Sequence, residues 1–173
     1  MIKDELLETF DLNGNFLGLK KRSECHKNPN IAHKAVHILV FKNENEIFLQ
    51  KRSSKKDLYP LCWDTSIGGH LSIGEDYITA GIRECKEELG FEPKNLKFLY
   101  RYTAHLPSEI ELVETYSTFY DGSFSPDSEE VIEVKPFEIQ FLFALKDTKQ
   151  FSPFFLIELE YFKNFIKKGG AIK

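Results

Sequence analysis

The stretch from Gly69 to Phe91, GHLSIGEDYITAGIRECKEELGF, constrains this chain more than any other. Ile78, Ile82, Cys85 and Leu89 are spaced four, three and four apart, so at helical pitch they form one apolar stripe. Glu84, Glu87 and Glu88 are spaced three and one, and are expected on the opposite side of the same helix. Gly90 follows and suits a left-handed C-terminal cap. The expectation is a helix, entered from a glycine turn, that packs one face on a core and offers carboxylates from the other. Clustered like charges are costly unless cations neutralise them, and hard oxygen ligands suit Mg²⁺ or Mn²⁺.

The rest of the chain bounds what that helix can serve. With 173 residues, 42% of them hydrophobic, one domain with one core is expected. A net charge of −4 gives no basic footprint for nucleic acid. Cys25, Cys62 and Cys85 are odd in number and lack metal-site spacing, which fits free thiols in a reducing cytoplasm. No apolar run approaches a membrane span, and the acidic start MIKDELLETF lacks a signal-peptide pattern. A cytoplasmic protein is expected.

In chain order, residues 7 to 20 read as a hairpin around Asn13-Gly14, and residues 22 to 27 as a helical turn begun at Ser23. Residues 33 to 41, HKAVHILVF, read as a buried strand, with Ile47 to Arg52 returning as its partner. A basic loop from Lys51 to Asp57 leads to a short strand, Trp63 to Ile67, that feeds the Gly68-Gly69 turn. Past the central helix, strands are expected over 96–105, 110–120 and 131–134. Pro136 is expected to begin a helix with Phe137, Phe141, Ala144 and Leu145 on one face, and Ser152-Pro153 to begin a last helix to about Lys168. Strands in mixed order with helices before and after predict an α/β fold whose mixed sheet is covered on both faces.

Gly69, then Glu75, then Arg83-Glu84-Cys85-Lys86-Glu87-Glu88-Leu89-Gly90 resembles the signature of the Nudix hydrolases, with each fixed Gly, Glu and Arg present. The resemblance implies an α/β/α sandwich and hydrolysis of a diphosphate bond in a nucleoside diphosphate derivative or a related organic pyrophosphate. It places Mg²⁺ or Mn²⁺ on Glu84, Glu87 and Glu88, with Glu75 as a further ligand or an orienting group. Arg83 would pair with a glutamate of the cluster, since it lies four before Glu87. Glu88, Glu87, Arg83 and Glu84 are the candidate catalytic residues, and Glu129 and Glu130 are alternative bases. The implied layout is a hairpin extension over 1–30 and a catalytic core over 31–173. The hairpin is a candidate contact between two copies of the chain.

From His26 to Phe91 the chain is also similar to the branch that contains the isopentenyl-diphosphate isomerases, through His26, His33 and QKRSSKKDLYPLCWDTSIGGH. That likeness assigns Arg52 and Lys56 to substrate phosphate. Gly68 and Gly69 are added to the substrate site because a backbone without side chains lets a ligand approach closely, and His70 because it stands next to that glycine turn. In the isomerases His26, His33, His70 and Glu114 would bind one metal, with a second glutamate two residues before Glu114. Here that position is Leu112. The isomerases also need a cysteine just before the glycine-histidine pair, where this chain has Gly68. Glycine transfers no proton, Cys62 is six residues too early, and Cys85 should face the core. An isomerase-like scaffold with hydrolase chemistry is therefore the expectation. The alternatives are the isomerase itself and a module that binds a ligand without catalysis.

Overall fold

β3 (Ala32–Asn43) organises the molecule, because it is apolar on both sides. Val36, Ile38 and Val40 join one buried cluster, while Leu39 and Phe41 join a second. A strand buried on both faces needs a layer over each. α2 (Tyr77–Leu89) covers the first face with Ala80, Cys85 and Leu89. α3 (Ile139–Phe143) and α4 (Pro153–Lys167) cover the second, where Phe155, Leu159 and Phe162 pack. The result is the expected α/β/α sandwich on a mixed sheet. The computed structural model describes residues 4–173. Met1 to Lys3, part of the acidic N-terminal stretch, lie outside the described residues. No helix among the described residues is long and apolar enough to cross a membrane.

The two edges of β3 are used differently, and the difference makes the site. One edge pairs in parallel with β8 (Ile110–Phe119), from Ala32 opposite Ile110 to Phe41 opposite Phe119. β7 (Lys97–His105) lies antiparallel beyond β8. The other edge is shared by three strands in succession. β1 (Leu6–Phe10) meets Ala32 and His33, β6 (Ile67–His70) meets residues 35–38, and β4 (Glu46–Arg52) meets Phe41 and Asn43. β4 continues away with β5 (Trp63–Asp64) and β9 (Val131–Glu138). The sheet thus forks between β6 and β4. β2 (Phe16–Lys21) closes the N-terminal hairpin on β1, and α1 (Arg22–Cys25) follows it.

Four local expectations are corrected. Gly68 and Gly69 form no turn but lie inside β6, opposite His37 and Val36. The buried face of α2 is Ala80, Gly81, Cys85, Glu88 and Leu89, and Ile78 is exposed. The small residues set this rotation: a Cβ at Gly81 would stand 2.9 Å from Ile38 Cδ1, so the helix comes closest there and turns Glu88 inward. Pro136 sits in β9 opposite Phe48, not at a helix start. β9 is at the rim of the sheet, where a missing N–H leaves no ladder bond unmade. α1 begins after Lys21, and the Ser23 hydroxyl is on Asp4.

Candidate functional site

α2 is held at both ends by its own sequence. The Asp76 carboxylate accepts from Thr79 N at 2.8 Å, and Gly90 closes the helix at φ 69°. This places Arg83 where all of its donors are used. Its guanidinium donates to both oxygens of Glu75 at 3.1 and 2.8 Å, to Glu84 at 2.6 Å, to Glu87 at 3.0 Å and to the His70 carbonyl at 2.9 Å. Glu75 also accepts from Ser72 N, and Arg83 holds its carboxyl below the usual range. Both oxygens of Glu75 are thus engaged by Arg83.

Glu84 lies flat against Gly69. A Cβ on Gly69 would stand 2.1 Å from Glu84 Cδ, so only glycine leaves the carboxylate its place. Gly69→Ala is expected to push Glu84 aside and lower kcat/KM with Mg²⁺ by about 100-fold while the fold persists. Wild-type turnover in that variant would show that Glu84 is not needed where it stands.

Glu88 occupies the fork in the sheet. It is 7% exposed, receives the Gln50 amide at 2.9 Å and the Gly68 N–H at 3.4 Å, and its carboxyl is pushed up to about 8. Burial is the main cause, and the charges of Glu84 and Glu130 add to it while Lys56 opposes. Lys56 pairs with Glu130 at the mouth of the fork, and Lys55 with Glu129 outside it. Lys56 and Glu130 are thus brought to the site.

Arg52 is not. Its Nε donates to the Leu58 carbonyl at 3.0 Å and its Nη1 to Asp64 at 2.9 Å, which pins the basic loop to β5. Arg52→Ala leaves Asp64, whose side chain is 5% exposed, without its partner. The expected cost is about 3 kcal/mol of stability with KM for a diphosphate unchanged, measured by urea melts and steady-state kinetics. A raised KM at wild-type stability would return Arg52 to the substrate.

A second cluster stands on the opposite face of β6. His26 follows α1, which is anchored by the buried Cys25, and His33 and His70 come from β3 and β6. Their rings lie 4.8 to 5.3 Å apart. Glu111 enters because β8 pairs it with His33, and Glu109 precedes it in the turn. Ligand atoms of His26, His33 and His70, and of His33, Glu109 and Glu111, lie within 4.8 Å of one another.

Nearly all of these atoms are buried, yet they do not bond to each other. Both nitrogens of His26 and His33, both oxygens of Glu109 and one of Glu111 lack a hydrogen-bond partner. His26 Nε2 is 3.0 Å from Glu109, so the distance is short but the direction is wrong. Buried polar atoms that converge without pairing fit a cation between them. Burial drives His26 down to about 3, helped by the charges of Arg22, His70 and His33, so it is neutral as a ligand must be. His70 is carried up to about 9: burial opposes its charge, but Glu111 and Glu5 outweigh it.

The isomerase likeness places its two glutamates at positions 112 and 114, but the carboxylates beside His33 are Glu109 and Glu111. Glu114 faces the other way, accepting from the Tyr116 hydroxyl at 2.6 Å and pairing with Arg101 at 3.1 Å. A three-residue shift along a strand reverses the face. The signal for Glu109 and Glu111 was their own spacing of two beside a histidine-bearing strand. The signature glutamates form no comparably tight triad among the described residues, since Arg83 is bound to both Glu84 and Glu87 and Glu88 is held by Gln50.

Residues 32–156, which hold the helix, the fork and most of the histidine cluster, match the NUDIX domain. The chain belongs to the NUDIX family. An uncharacterised Nudix hydrolase of Nostoc is 36% identical over 93 residues, which is 53% of this chain and 55% of that protein. The match thus spans little more than half of that relative. An isopentenyl-diphosphate Delta-isomerase of Haloarcula marismortui is 31% identical over 130 residues, 70% of each chain, which agrees with the branch the sequence resembled. A crystal structure from Deinococcus radiodurans has a TM-score of 0.78 at 18% identity, covering 92% of this chain and 98% of that one. That likeness is one of fold.

Proposed function

We propose that this Nudix protein hydrolyses the diphosphate bond of a nucleoside diphosphate derivative or related organic pyrophosphate with a divalent ion on Glu84, Glu87 and Glu88. The observation that carries the reading is Glu88, a carboxylate buried in the fork of the sheet beside the backbone of Gly68 and close to the charges of Glu84 and Glu130. Burying a carboxylate beside others is expensive and does nothing for the fold. When bound, Mg²⁺ or Mn²⁺ neutralises diphosphate oxygens and acidifies a water. Arg83 holds Glu84 and Glu87 side by side, Gly68 and Gly69 let a ligand approach the strand, and Lys56 offers a cation to phosphate. Glu88 or Glu130 takes the proton of the attacking water.

The histidine cluster favours a second reading, because two overlapping triads, His26 with His33 and His70, and His33 with Glu109 and Glu111, supply donor types of the kind the isomerase reading requires. Its nitrogen-rich donors suit a borderline ion such as Mn²⁺ or Zn²⁺. Against isomerisation stands Gly68, which carries no thiol. A phosphate-release screen over nucleoside and other diphosphates tests the proposal, with Glu87→Gln and Glu88→Gln as controls and isopentenyl diphosphate assayed for isomerisation alongside. Turnover lost in both controls is the expected result. Isomerisation by the wild type, or no hydrolysis above the controls, would overturn it.

A further inference from the structure

The face of the sheet beneath α4 carries a buried polar group that the glutamate chemistry leaves unused. Glu158, in the middle of α4, is 1% exposed. One of its oxygens lies 2.6 Å from His37 Nδ1 and accepts from the Tyr102 hydroxyl at 2.8 Å. Thr115 donates to it at 3.1 Å, and the Tyr100 hydroxyl donates to the other oxygen. Burial opposes the charge on Glu158, but the hydrogen bond and charge of His37, with the two tyrosines, hold its carboxyl below the ordinary value. Burial likewise opposes a charged His37, but Glu158, with the charges of Glu111 and Asp64, carries the imidazole above its ordinary value. Both shifts favour an ionised carboxylate beside a protonated ring, with Nδ1 facing Glu158.

The other ring nitrogen makes no hydrogen bond among the described residues, and it lies beside Gly68. A Cβ on Gly68 would meet His37 Cδ2 at 3.3 Å and Nε2 at 3.4 Å. The ring edge therefore lies directly beneath the side chain that Gly68 lacks. Gly68 is half-buried, and its N–H is the one directed at Glu88. Glu88 and His37 approach the same backbone residue from different sides. A group seated on that backbone has a carboxylate on one hand and an Nε2–H donor on the other. An alanine at position 68 would press on the ring and cover it.

We propose that His37, oriented by Glu158, is the acid that protonates the leaving oxygen in the hydrolysis. This rests on the hydrolase reading. As the oxygen of the attacking water bonds to phosphorus, the bond from phosphorus to the leaving oxygen breaks, and its electron pair stays on that oxygen. The leaving oxygen takes the proton from His37 Nε2. The proton lost by the water passes to a carboxylate of the fork, and the imidazole is reprotonated from solvent. Glu158 is a positioning residue: it fixes the ring and stabilises its cation. The groups around the pair are Glu158 from α4, Tyr102 from β7 against the ring and Tyr100 from β7 on Glu158, Thr115 and Glu111 from β8, and Asp64 from β5.

The first test uses the whole wild-type chain, ¹⁵N-labelled at histidine, with Mg²⁺ and methylenediphosphonate as a diphosphate that does not hydrolyse. The expected result is a shift of the His37 Nε2 resonance on binding and a rise of the ring pKa by about one unit. Binding that moves the Gly68 amide and leaves His37 untouched would overturn this role and spare the hydrolase. Failure to bind at all would overturn both. The second test uses any diphosphate turned over in the screen. His37→Gln should lower kcat about 100-fold with KM nearly unchanged and remove the alkaline limb of the pH profile. A variant that melts earlier but keeps that limb shows a structural role only, and overturns the proposal.

Discussion

Glu88→Gln is expected to lower turnover with Mg²⁺ roughly a thousandfold or more and, in the metal-free protein at pH 8, to raise the melting temperature. The two effects have one origin. Glu88 is buried between Gln50 and Gly68, and its carboxyl is carried up to about 8 by burial and by the charges of Glu84 and Glu130. A folded-state value above the unfolded one means that the folded protein holds the proton more tightly. The stability from that proton is fully present below about 4.5 and is lost as pH rises to about 8. At 1.36 kcal/mol per unit the loss is at most about 5 kcal/mol. Glutamine keeps the amide contacts and carries no charge, so it escapes the loss. Mg²⁺ should stabilise the wild type more at pH 8 than at pH 5, and the variant little at either. Wild-type stability that stays flat between pH 5 and pH 8 without metal would sink this account.

That pairing of function with instability also explains what could be read without a structure. The signature names Glu84, Glu87, Glu88, Arg83, Glu75 and Gly69 because their chemistry needs those residue types at those intervals. Their directions were less legible. Periodicity put the glutamates opposite the apolar stripe, but Gly81 and Ala80 bring α2 closest to β3, and Glu88 turns inward. An apolar pattern records what is cheap to bury, and a functional carboxylate is buried at a cost. Gly68-Gly69 reads as a turn by composition, yet tertiary pairing with β3 makes it strand. Pro136 reads as a helix start, yet an edge strand accepts it equally well. Glu109 and Glu111 show a spacing of two, but which glutamates of β8 stand beside His33 is set by the parallel pairing of β3 and β8, a register that spacing alone does not give.

The same register makes a second large effect measurable. The protein should bind one borderline divalent ion at His26, His33, His70, Glu109 and Glu111, and chelation should lower its melting temperature. At an ion concentration a hundred times the dissociation constant the stabilisation is about 2.7 kcal/mol. Mn²⁺, Zn²⁺ or Co²⁺ should provide it and Mg²⁺ should not, because three of the donors are imidazoles. His33→Gln and Glu111→Gln should abolish this binding and leave Mg²⁺ binding at the signature glutamates in place. The pH dependence follows from the protons the ion displaces. Burial, with the charge of Glu111, carries Glu109 up to about 8, and His70 stands at about 9, so both are largely protonated at pH 7. His26, at about 3, already lacks its proton and releases none. Affinity should therefore rise between pH 6 and pH 9, with proton release on binding measurable by calorimetry in buffers of different ionisation enthalpy. Affinity that is flat over that range, or equal loading by Mg²⁺, would place the ion elsewhere.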